Sequence, residues 1–374
     1  MTQQYKPQNH DDVLSPYIDN LTSNPASWTN QPLISVKQLT PGALDLLVHT
    51  ASEMRSLVHL KGGDNCLQHR ILTTLFYEAS TRTSASFQTA MMRLGGTVLH
   101  IDAGSTGNTS SKKGESVTDT IKCLQCYTDV TVMRHHLEGT VMDAVLNGNL
   151  TKPLINGGDG VGEHPTQALL DVFTIMDELD MLEESKRSDA MEPLVVVLVG
   201  DLKHGRTVHS LAKLLARAQQ GFLKRPLVLR YCSPDSLRMP EYVKEYVAHF
   251  ADDSKANGNG IRSPCNIVQE ECTSIHEAMQ NANVLYATRV QKERFANPQD
   301  YDSVKGLYVI DAELMKHALE KMIVMHPLPR VDEISTDVDL DPRAAYFRQM
   351  ENGLYVRMAI LALVLGKSDW EEKM

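Results

Sequence analysis

The sequence predicts an α/β protein with two doubly wound domains, each built on a parallel sheet and linked by helices. Apolar runs of strand length alternate with amphipathic helical runs from Leu33 onward, which is typical of parallel sheets. Several of these runs, such as 194–200, are apolar on both faces, as strands covered by helices on both sides are. The length of 374 residues also suits two domains.

The elements are expected in the following order. Residues 1–32 are rich in Asn, Gln, Ser, Thr and Pro, which predicts a poorly ordered polar extension. Strands are expected at 71–77, 97–101, 130–134, 153–156, 194–200, 227–231, 283–287 and 322–326. A long helix that begins at His164 divides these strands into two sets.

Composition and charge exclude several classes of protein. The chain carries 37 basic and 47 acidic residues, a net charge of −10, with no block of like charge, which argues against nucleic acid or an anionic membrane as the main partner. Its longest apolar runs are far shorter than the ~20 residues that a bilayer requires. Six cysteines in so long a chain indicate reduced thiols and a cytoplasmic location.

The first strand end carries a candidate anion site. Ser80, Thr81, Arg82 and Thr83 follow strand 71–77, and a helical stripe of apolar residues comes next. With Ser80 as the N-cap, backbone N–H groups, two hydroxyls and a guanidinium meet at a helix N-terminus, where phosphate binds readily. The alternative is an ordinary capped helix with a surface arginine.

The next strand end presents an arginine beside two histidines. Arg134 could reach the same anion or form a surface ion pair. The neighbouring His135 and His136 are residues that bind metal ions, but no further residues complete a set of ligands. Cys123 and Cys126 have the spacing of a metal pair, but no second pair accompanies them. We therefore expect two thiols in the core and no metal site.

A glycine-rich segment follows strand 153–156 and leads into the helix of His164. His164 and Gln167 lie three residues apart at the start of this helix and share a face. Pro165 suits the first helical position, and the glycines allow a ligand to approach the backbone. A dinucleotide-binding loop is the alternative, although the glycine spacing does not fit that motif cleanly.

Three further strand ends and one loop add charged or carbonyl groups. Arg206 follows strand 194–200, and an arginine at such a turn can hold a carboxylate with two hydrogen bonds. Arg289 follows strand 283–287. Two prolines after the last strand fix the backbone, so that carbonyls there can accept hydrogen bonds from an amide. Lys113 lies in a polar loop, where a solvated surface is the ordinary interpretation.

Taken together, these segments resemble the catalytic chain of the aspartate carbamoyltransferases over residues 33–366. The motifs that carry the resemblance are Ser80-Thr81-Arg82-Thr83, Lys112-Lys113-Gly114-Glu115, Arg134-His135, His164-Pro165-Thr166-Gln167, Gly200-Asp201-Leu202-Lys203-His204-Gly205-Arg206-Thr207-Val208-His209-Ser210, Thr288-Arg289-Val290-Gln291 and His326-Pro327-Leu328-Pro329-Arg330. Ser84 stands where many bacterial relatives have Arg, which is similar to the animal multifunctional pyrimidine protein. The loop near Ser110 is one residue shorter than in bacterial relatives, so either Ser110 or Ser111 could contact ligand.

The resemblance implies a domain organisation and an assembly. A carbamoyl phosphate-binding domain would comprise 33–163 plus 343–374, and an L-aspartate-binding domain would comprise 164–342. The C-terminal helix would return to the first domain. The family forms homotrimers in which the Ser/Lys loop reaches a neighbouring subunit's site. The sequence is compatible with a lone chain, with separate regulatory chains and with part of a fused polypeptide, and nucleotide feedback is equally open.

The resemblance also implies the reaction and the residues that perform it. Carbamoyl phosphate and L-aspartate would give N-carbamoyl-L-aspartate and phosphate, an early step of pyrimidine biosynthesis, without cofactor or metal. The catalytic residues would be Arg82, Thr83, Arg134 and His164. Carbamoyl phosphate would also contact Ser80, Thr81, Gln167, Pro327 and Leu328. L-Aspartate would contact Lys113, Arg206, Arg289 and Gln291.

Two rival functions differ in recognisable features. An ornithine carbamoyltransferase would carry Cys in a His-Cys-Leu-Pro segment, whereas this chain has Pro327 there and two arginines suited to a dicarboxylate. A catalytically inactive subunit that regulates a partner would lack some of the expected site residues, and all of them are present.

Overall fold

A computed structural model of the chain describes residues 14–104, 114–187, 192–251, 266–290 and 304–367, together with 297, 299 and 301. Within these ranges the strands form two parallel sheets. The first sheet has the order β2-β1-β3-β4. Its strands are β1 Ile71–Phe76, β2 Thr97–Asp102, β3 Val130–His135 and β4 Leu154–Asp159.

The second sheet has five strands in the order β7-β6-β5-β8-β9. They are β5 Leu194–Val199, β6 Leu227–Cys232, β7 Ile267–Cys272, β8 Val284–Ala287 and β9 Ile323–Met325. The predicted α/β fold with two parallel sheets and all eight predicted strands are confirmed. The sequence did not predict β7, because this edge strand carries polar residues at its centre and has no apolar run.

Helices pack on both sheets. The α-helices of the described residues are α1 Pro41–Lys61, α2 Thr81–Arg93, α3 Val117–Gln125, α4 Thr140–Gly148, α5 Pro165–Glu178, α6 Arg206–Ala218, α7 Glu241–Ala251, α8 Ile275–Ala278, α9 Ala312–Met315 and α10 Tyr346–Val364. Short 3-10 helices occur at Ser15–Tyr17, Pro25–Ser27, Val36–Gln38, Glu184–Arg187, Asp235–Leu237 and Thr336–Leu340. In the part of the chain that is described, no helix has the length and apolarity needed to cross a bilayer.

Two helices connect the sheets through the core. Helix α5 is buried along nearly its whole length and packs against α6 on one side and α10 on the other. Helix α10 also packs against α1 and α2, although it follows the second sheet in sequence. Helix α10 therefore lies beside the helices of the first sheet, close to the start of α5.

The structure corrects two sequence predictions. Residues 14–32 are ordered, because Leu14, Leu21 and Trp28 are buried and the indole of Trp28 donates to the carbonyl of Thr22 at 3.0 Å. The prediction of a poorly ordered extension is therefore wrong for this part, and 1–13 lie outside the described residues. Cys123 and Cys126 are exposed and not core thiols, because α3 turns its other face inward.

Candidate active site

A cavity of about 710 Å³ lies between the carboxyl ends of the two sheets. Most of the residues that the sequence singled out line it, namely Ser80, Arg82, Thr83, Arg134, His164, Gln167, Arg206, Arg289, Pro327 and Leu328. Thr81 is the exposed first residue of α2 and is not among the lining residues. Lys113 and Gln291 lie outside the described residues, as do Ser110 and Ser111.

The N-terminus of α2 opens into this cavity. Ser80 is the N-cap residue, as predicted, but its hydroxyl makes no capping hydrogen bond, so helix capping does not use it. Thr83 is buried in the first turn. Arg82 donates from Nη2 to the carbonyl of Leu328 at 2.6 Å. Free N–H groups, hydroxyls and a guanidinium thus converge where an anion would bind.

Arg134 ends β3 and is almost completely buried. It donates from Nη1 to the carbonyl of Gly157 at 3.3 Å and pairs with Glu78 at 3.2 Å, while its Nε has no hydrogen-bond partner. Burial, the nearby Arg206 and the charge of Arg82 lower the pKa of Arg134 to about 9, against the opposing effect of Glu78. A buried guanidinium with an unused donor is suited to a substrate oxygen.

Arg206 begins α6 and reaches across to the first sheet. It donates to the carbonyl of Gly160 at 2.6 Å and contacts the same Glu78 carboxylate at 3.4 Å. Glu78 thus lies between two arginines, one from β3 and one from the start of α6. We did not identify Glu78 from the sequence, although an acid that directly follows β1 among basic motifs is a usable signal.

Gly158 allows these side chains to approach one another. It has φ +113°, a backbone conformation that favours glycine. A Cβ atom there would lie 2.9 Å from Nη1 of Arg134, 3.2 Å from Cδ2 of His164 and 3.3 Å from Cζ of Arg206. The absence of a side chain is therefore a condition for bringing the three groups together.

His164 is the N-cap residue of α5 and is fully enclosed. Its backbone N–H donates to Oγ of Ser210 at 3.1 Å, and the hydroxyl of Thr166 lies 3.5 Å from Nδ1, where it can donate and leave the ring proton on Nε2. Burial lowers the pKa of His164 well below its usual value, and the charges of Arg134 and Arg206 add to this effect. The imidazole is therefore neutral at physiological pH.

The segment after β9 also lines the cavity. The backbone N–H of Leu328 donates to Nδ1 of His326 at 2.8 Å, so the Nε2 proton of His326 faces Glu333, also at 2.8 Å. One of the two carbonyls predicted to hold an amide, that of Leu328, already accepts the hydrogen bond from Arg82.

Arg289 adds a further positive charge to the cavity. Its charge lowers the pKa of Arg82, after the larger effect of burial. Arg82, Arg134, Arg206 and Arg289 therefore form one electropositive cavity in an acidic protein. Such a site can hold and neutralise anions that carry several charges.

Other lining residues were not identified from the sequence. Glu351 and Arg357 belong to α10, and His204 precedes α6. The residues of α10 had no local signal, because only the return of this helix to the start of α5 brings them to the cavity. In the described residues no group of three or more His, Cys, Asp and Glu side chains could bind a metal ion.

The sequence of the chain is similar to those of known proteins. The family profile of the aspartate/ornithine carbamoyltransferase carbamoyl-P binding domain matches residues 31–177, and that of the Asp/Orn binding domain matches residues 192–364. The chain is 49% identical to the multifunctional protein pyr1-3 of Dictyostelium discoideum over 93% of its own length, and it spans 14% of that relative. It is 41% identical to the aspartate carbamoyltransferase catalytic subunit of Clostridium perfringens, covering 91% of this chain and 99% of that one.

A solved structure resembles the fold. The aspartate transcarbamoylase of Trypanosoma cruzi, in complex with carbamoyl phosphate and aspartate, superposes with a TM-score of 0.79 at 41% identity. The match covers 91% of this chain and 98% of that one.

Proposed function

The chain belongs to the aspartate/ornithine carbamoyltransferase family, and on this premise we propose that it transfers the carbamoyl group of carbamoyl phosphate to L-aspartate. The products are N-carbamoyl-L-aspartate and phosphate, in pyrimidine biosynthesis. The observation that carries the proposal is the convergence of four arginines and a neutral histidine in one cavity between the sheets. Both substrates are anions, and such a cavity fits them.

The reaction proceeds by direct attack. The unprotonated amine of aspartate forms a C–N bond to the carbamoyl carbon, and the carbonyl oxygen gains negative charge. The C–O bond to phosphate then breaks, and the departing phosphate carries away the proton that the amine nitrogen loses. Neutral His164, Arg134 and Thr83 donate to the carbonyl oxygen. No side chain acts as a nucleophile, so the rate comes from alignment and from stabilisation of developing charge.

The leaving phosphate binds at the N-terminus of α2. Ser80, Thr81 and Thr83 supply hydroxyls and backbone N–H groups, and Arg82 neutralises the charge that builds up as the C–O bond breaks. The bond from Arg82 to the Leu328 carbonyl supports this role because it orients the guanidinium over the cavity.

Aspartate occupies the side of the cavity nearer the second sheet. Arg206 and Arg289 hold its two carboxylates, with Gln291 and Lys113 assisting. The NH₂ group of the carbamoyl moiety only donates hydrogen bonds, and it binds to Gln167 and the carbonyls of Pro327 and Leu328. The position of Arg206, Arg289 and Gln167 around one cavity, together with Pro327 and Leu328, supports this division.

A transfer assay tests the function. Purified protein with radiolabelled carbamoyl phosphate should give labelled product with aspartate and none with ornithine. Transfer to ornithine alone would favour the ornithine branch of the family. Transfer to neither acceptor would favour a regulatory subunit.

We also propose that the chain forms a homotrimer, as the resemblance implies. In this trimer each active site would be shared between two subunits, because a neighbouring subunit would supply Lys113. Arg82→Ala and Lys113→Ala trimers should each be nearly inactive. Hybrids formed by dissociation and reassembly contain one intact site each and should recover up to about a third of the wild-type activity. Hybrids without activity, despite proven chain exchange, would contradict a shared site.

The proposal also includes the boundaries of the two domains and a cytoplasmic location. Residues 33–163 plus 343–374 form the carbamoyl phosphate domain, and 164–342 form the aspartate domain. The packing of α10 on α1 and α2 supports the discontinuous first domain. A cytoplasmic location is tested by cell fractionation, and native mass measurement distinguishes a trimer from a larger assembly.

A further inference from the structure

A fully buried carboxylate lies behind the cavity. Asp171 is on α5, one turn after Gln167, and is completely shielded from solvent. It accepts three hydrogen bonds. Two go to Oδ1, from Nε2 of Gln167 at 2.9 Å and from Nε2 of Gln349 at 2.6 Å, and the third goes to Oδ2, from the hydroxyl of Tyr286 at 2.9 Å. These donors come from α5, α10 and β8.

Two of the three donors connect Asp171 to two separate segments that line the cavity. Gln167 lines the cavity itself. Gln349 donates to Asp171, and its Oε1 accepts from the backbone N–H of His326 at 2.9 Å. His326 directly precedes Pro327 and Leu328. A single carboxylate oxygen is therefore connected to both groups of acceptors proposed for the carbamoyl amide.

The carboxylate also decides which end of the Gln167 amide faces the cavity. The two ends of a glutamine amide are nearly equal in size, but one donates and the other accepts. Burial raises the pKa of Asp171 to about 7, but all three of its hydrogen bonds are accepted ones, on both carboxyl oxygens. It therefore binds the NH₂ end and leaves Oε1 of Gln167 for the ligand. At a buried site the opposite orientation would bring two acceptors together, which is costly.

We propose that Asp171 is a positioning residue that makes the cavity selective for a carbamoyl NH₂ group. It turns the acceptor oxygen of Gln167 toward the ligand and, through Gln349, fixes the backbone that presents the carbonyls of Pro327 and Leu328. The inference rests on the proposed function, because it concerns the amide of carbamoyl phosphate. It adds a residue that touches no substrate and that no strand-end motif contains.

Acetyl phosphate is a suitable probe, because it has a methyl group where carbamoyl phosphate has NH₂. The experiment measures the Kd of both compounds and of inorganic phosphate by calorimetry. The wild-type protein should bind carbamoyl phosphate more tightly than acetyl phosphate. Asp171→Leu should reduce this preference by about tenfold or more, the expected result of losing one oriented hydrogen bond. Binding of acetyl phosphate and inorganic phosphate should change little.

Asp171→Asn is the conservative variant. Its Oδ1 can still accept from Gln167 and Gln349, and its NH₂ can donate to the oxygen of Tyr286. We expect it to keep the preference within about threefold. Gln349→Met breaks only the connection between Asp171 and His326 and should reduce the preference by several-fold, so it tests the proposal even if Asp171→Leu fails to fold.

Thr174→Val is the matched control. It removes the hydrogen bond of 3.3 Å that Nδ2 of Asn352 donates to the hydroxyl of Thr174. Like the hydrogen bond from Gln349 to Asp171, this one joins α10 to α5, about one turn further along α5. This buried pair has no connection to Gln167 or His326, so the preference should remain at the wild-type value.

The proposal is overturned if folded Asp171→Leu or Gln349→Met keeps the wild-type preference, or if Thr174→Val loses it equally. Because these binding measurements need no turnover, they are separate from the proposed function. Absence of transfer to aspartate refutes the proposed function, and an unchanged preference in an active enzyme refutes only this inference.

Discussion

The two sides of the cavity are built differently. On the side of the first sheet, Thr83, Arg134, His164 and Gln167 are all buried, and neighbouring side chains or backbone hold most of them. On the side of the second sheet, Arg206 and Arg289 are only partly buried. Preorganised groups favour the chemical step, because they need no rearrangement as charge develops. Partly exposed arginines are suited to binding an acceptor that enters and leaves.

The largest effect is expected at Arg82, which belongs to the first side but is exposed, unlike the buried groups there. Arg82→Ala should lower turnover by a factor on the order of 10² to 10⁴, as the loss of a donor to a developing charge does. The affinity for aspartate should change far less. Steady-state kinetics with each substrate varied checks this, and a turnover within twofold of the wild-type value would contradict the role of Arg82.

The next effect arises where the two sides meet. Gly158→Ala places a methyl group within 2.9 Å of Arg134 and within 3.3 Å of Arg206, at a φ of +113°. Because small displacements of substrate-binding groups cost about 10²-fold, kcat/KM should fall by roughly that factor. A crystal structure should show both guanidinium groups displaced. Wild-type kcat/KM would mean that the close approach of the two arginines is not required.

A smaller and more selective effect is expected on the second side. Arg289→Ala removes a charge-assisted hydrogen bond worth about 1.5–3 kcal/mol, so the aspartate requirement should rise at least tenfold. Carbamoyl phosphate binding, measured by calorimetry, should stay near normal. If carbamoyl phosphate binding fails instead, Arg289 belongs to the first side and the contrast between the sides is lost.

The smallest effect concerns stability and pH. His209 on α6 is buried, with Nε2 donating to the Leu202 carbonyl at 2.7 Å, and burial lowers its pKa to about 4. Unfolded His209 binds a proton below about pH 6.5 whereas the folded form does not, so this group makes the protein more stable as pH rises from about 4 to about 6.5.

Urea unfolding of wild-type protein and His209→Leu at pH 5 and pH 7 checks this prediction. The gain in unfolding free energy between the two pH values should be about 2 kcal/mol smaller in the variant. An equal gain in unfolding free energy in the two proteins would show that His209 does not remain neutral in the folded state.

The sequence by itself determined the strands and the residues at their carboxyl ends. Ser80, His164 and Arg206 each follow a recognisable strand, Arg134 lies near the end of one, and parallel strands of one sheet end at the same edge. Local patterns of apolar and polar residues are therefore sufficient to predict most of the cavity lining. They fail where such a pattern is absent, as in β7 and in residues 14–32, whose few apolar residues are widely spaced.

Only the tertiary structure decided which groups pair inside the site. The hydrogen bond from Gln349 to Asp171 joins residues 178 positions apart, and the contact of Arg206 with Glu78 spans 128 positions. Periodicity reports which face of an element is buried, but not which element packs against it. The partners of a buried polar group depend on that packing, because only side chains from the neighbouring elements can satisfy its hydrogen bonds.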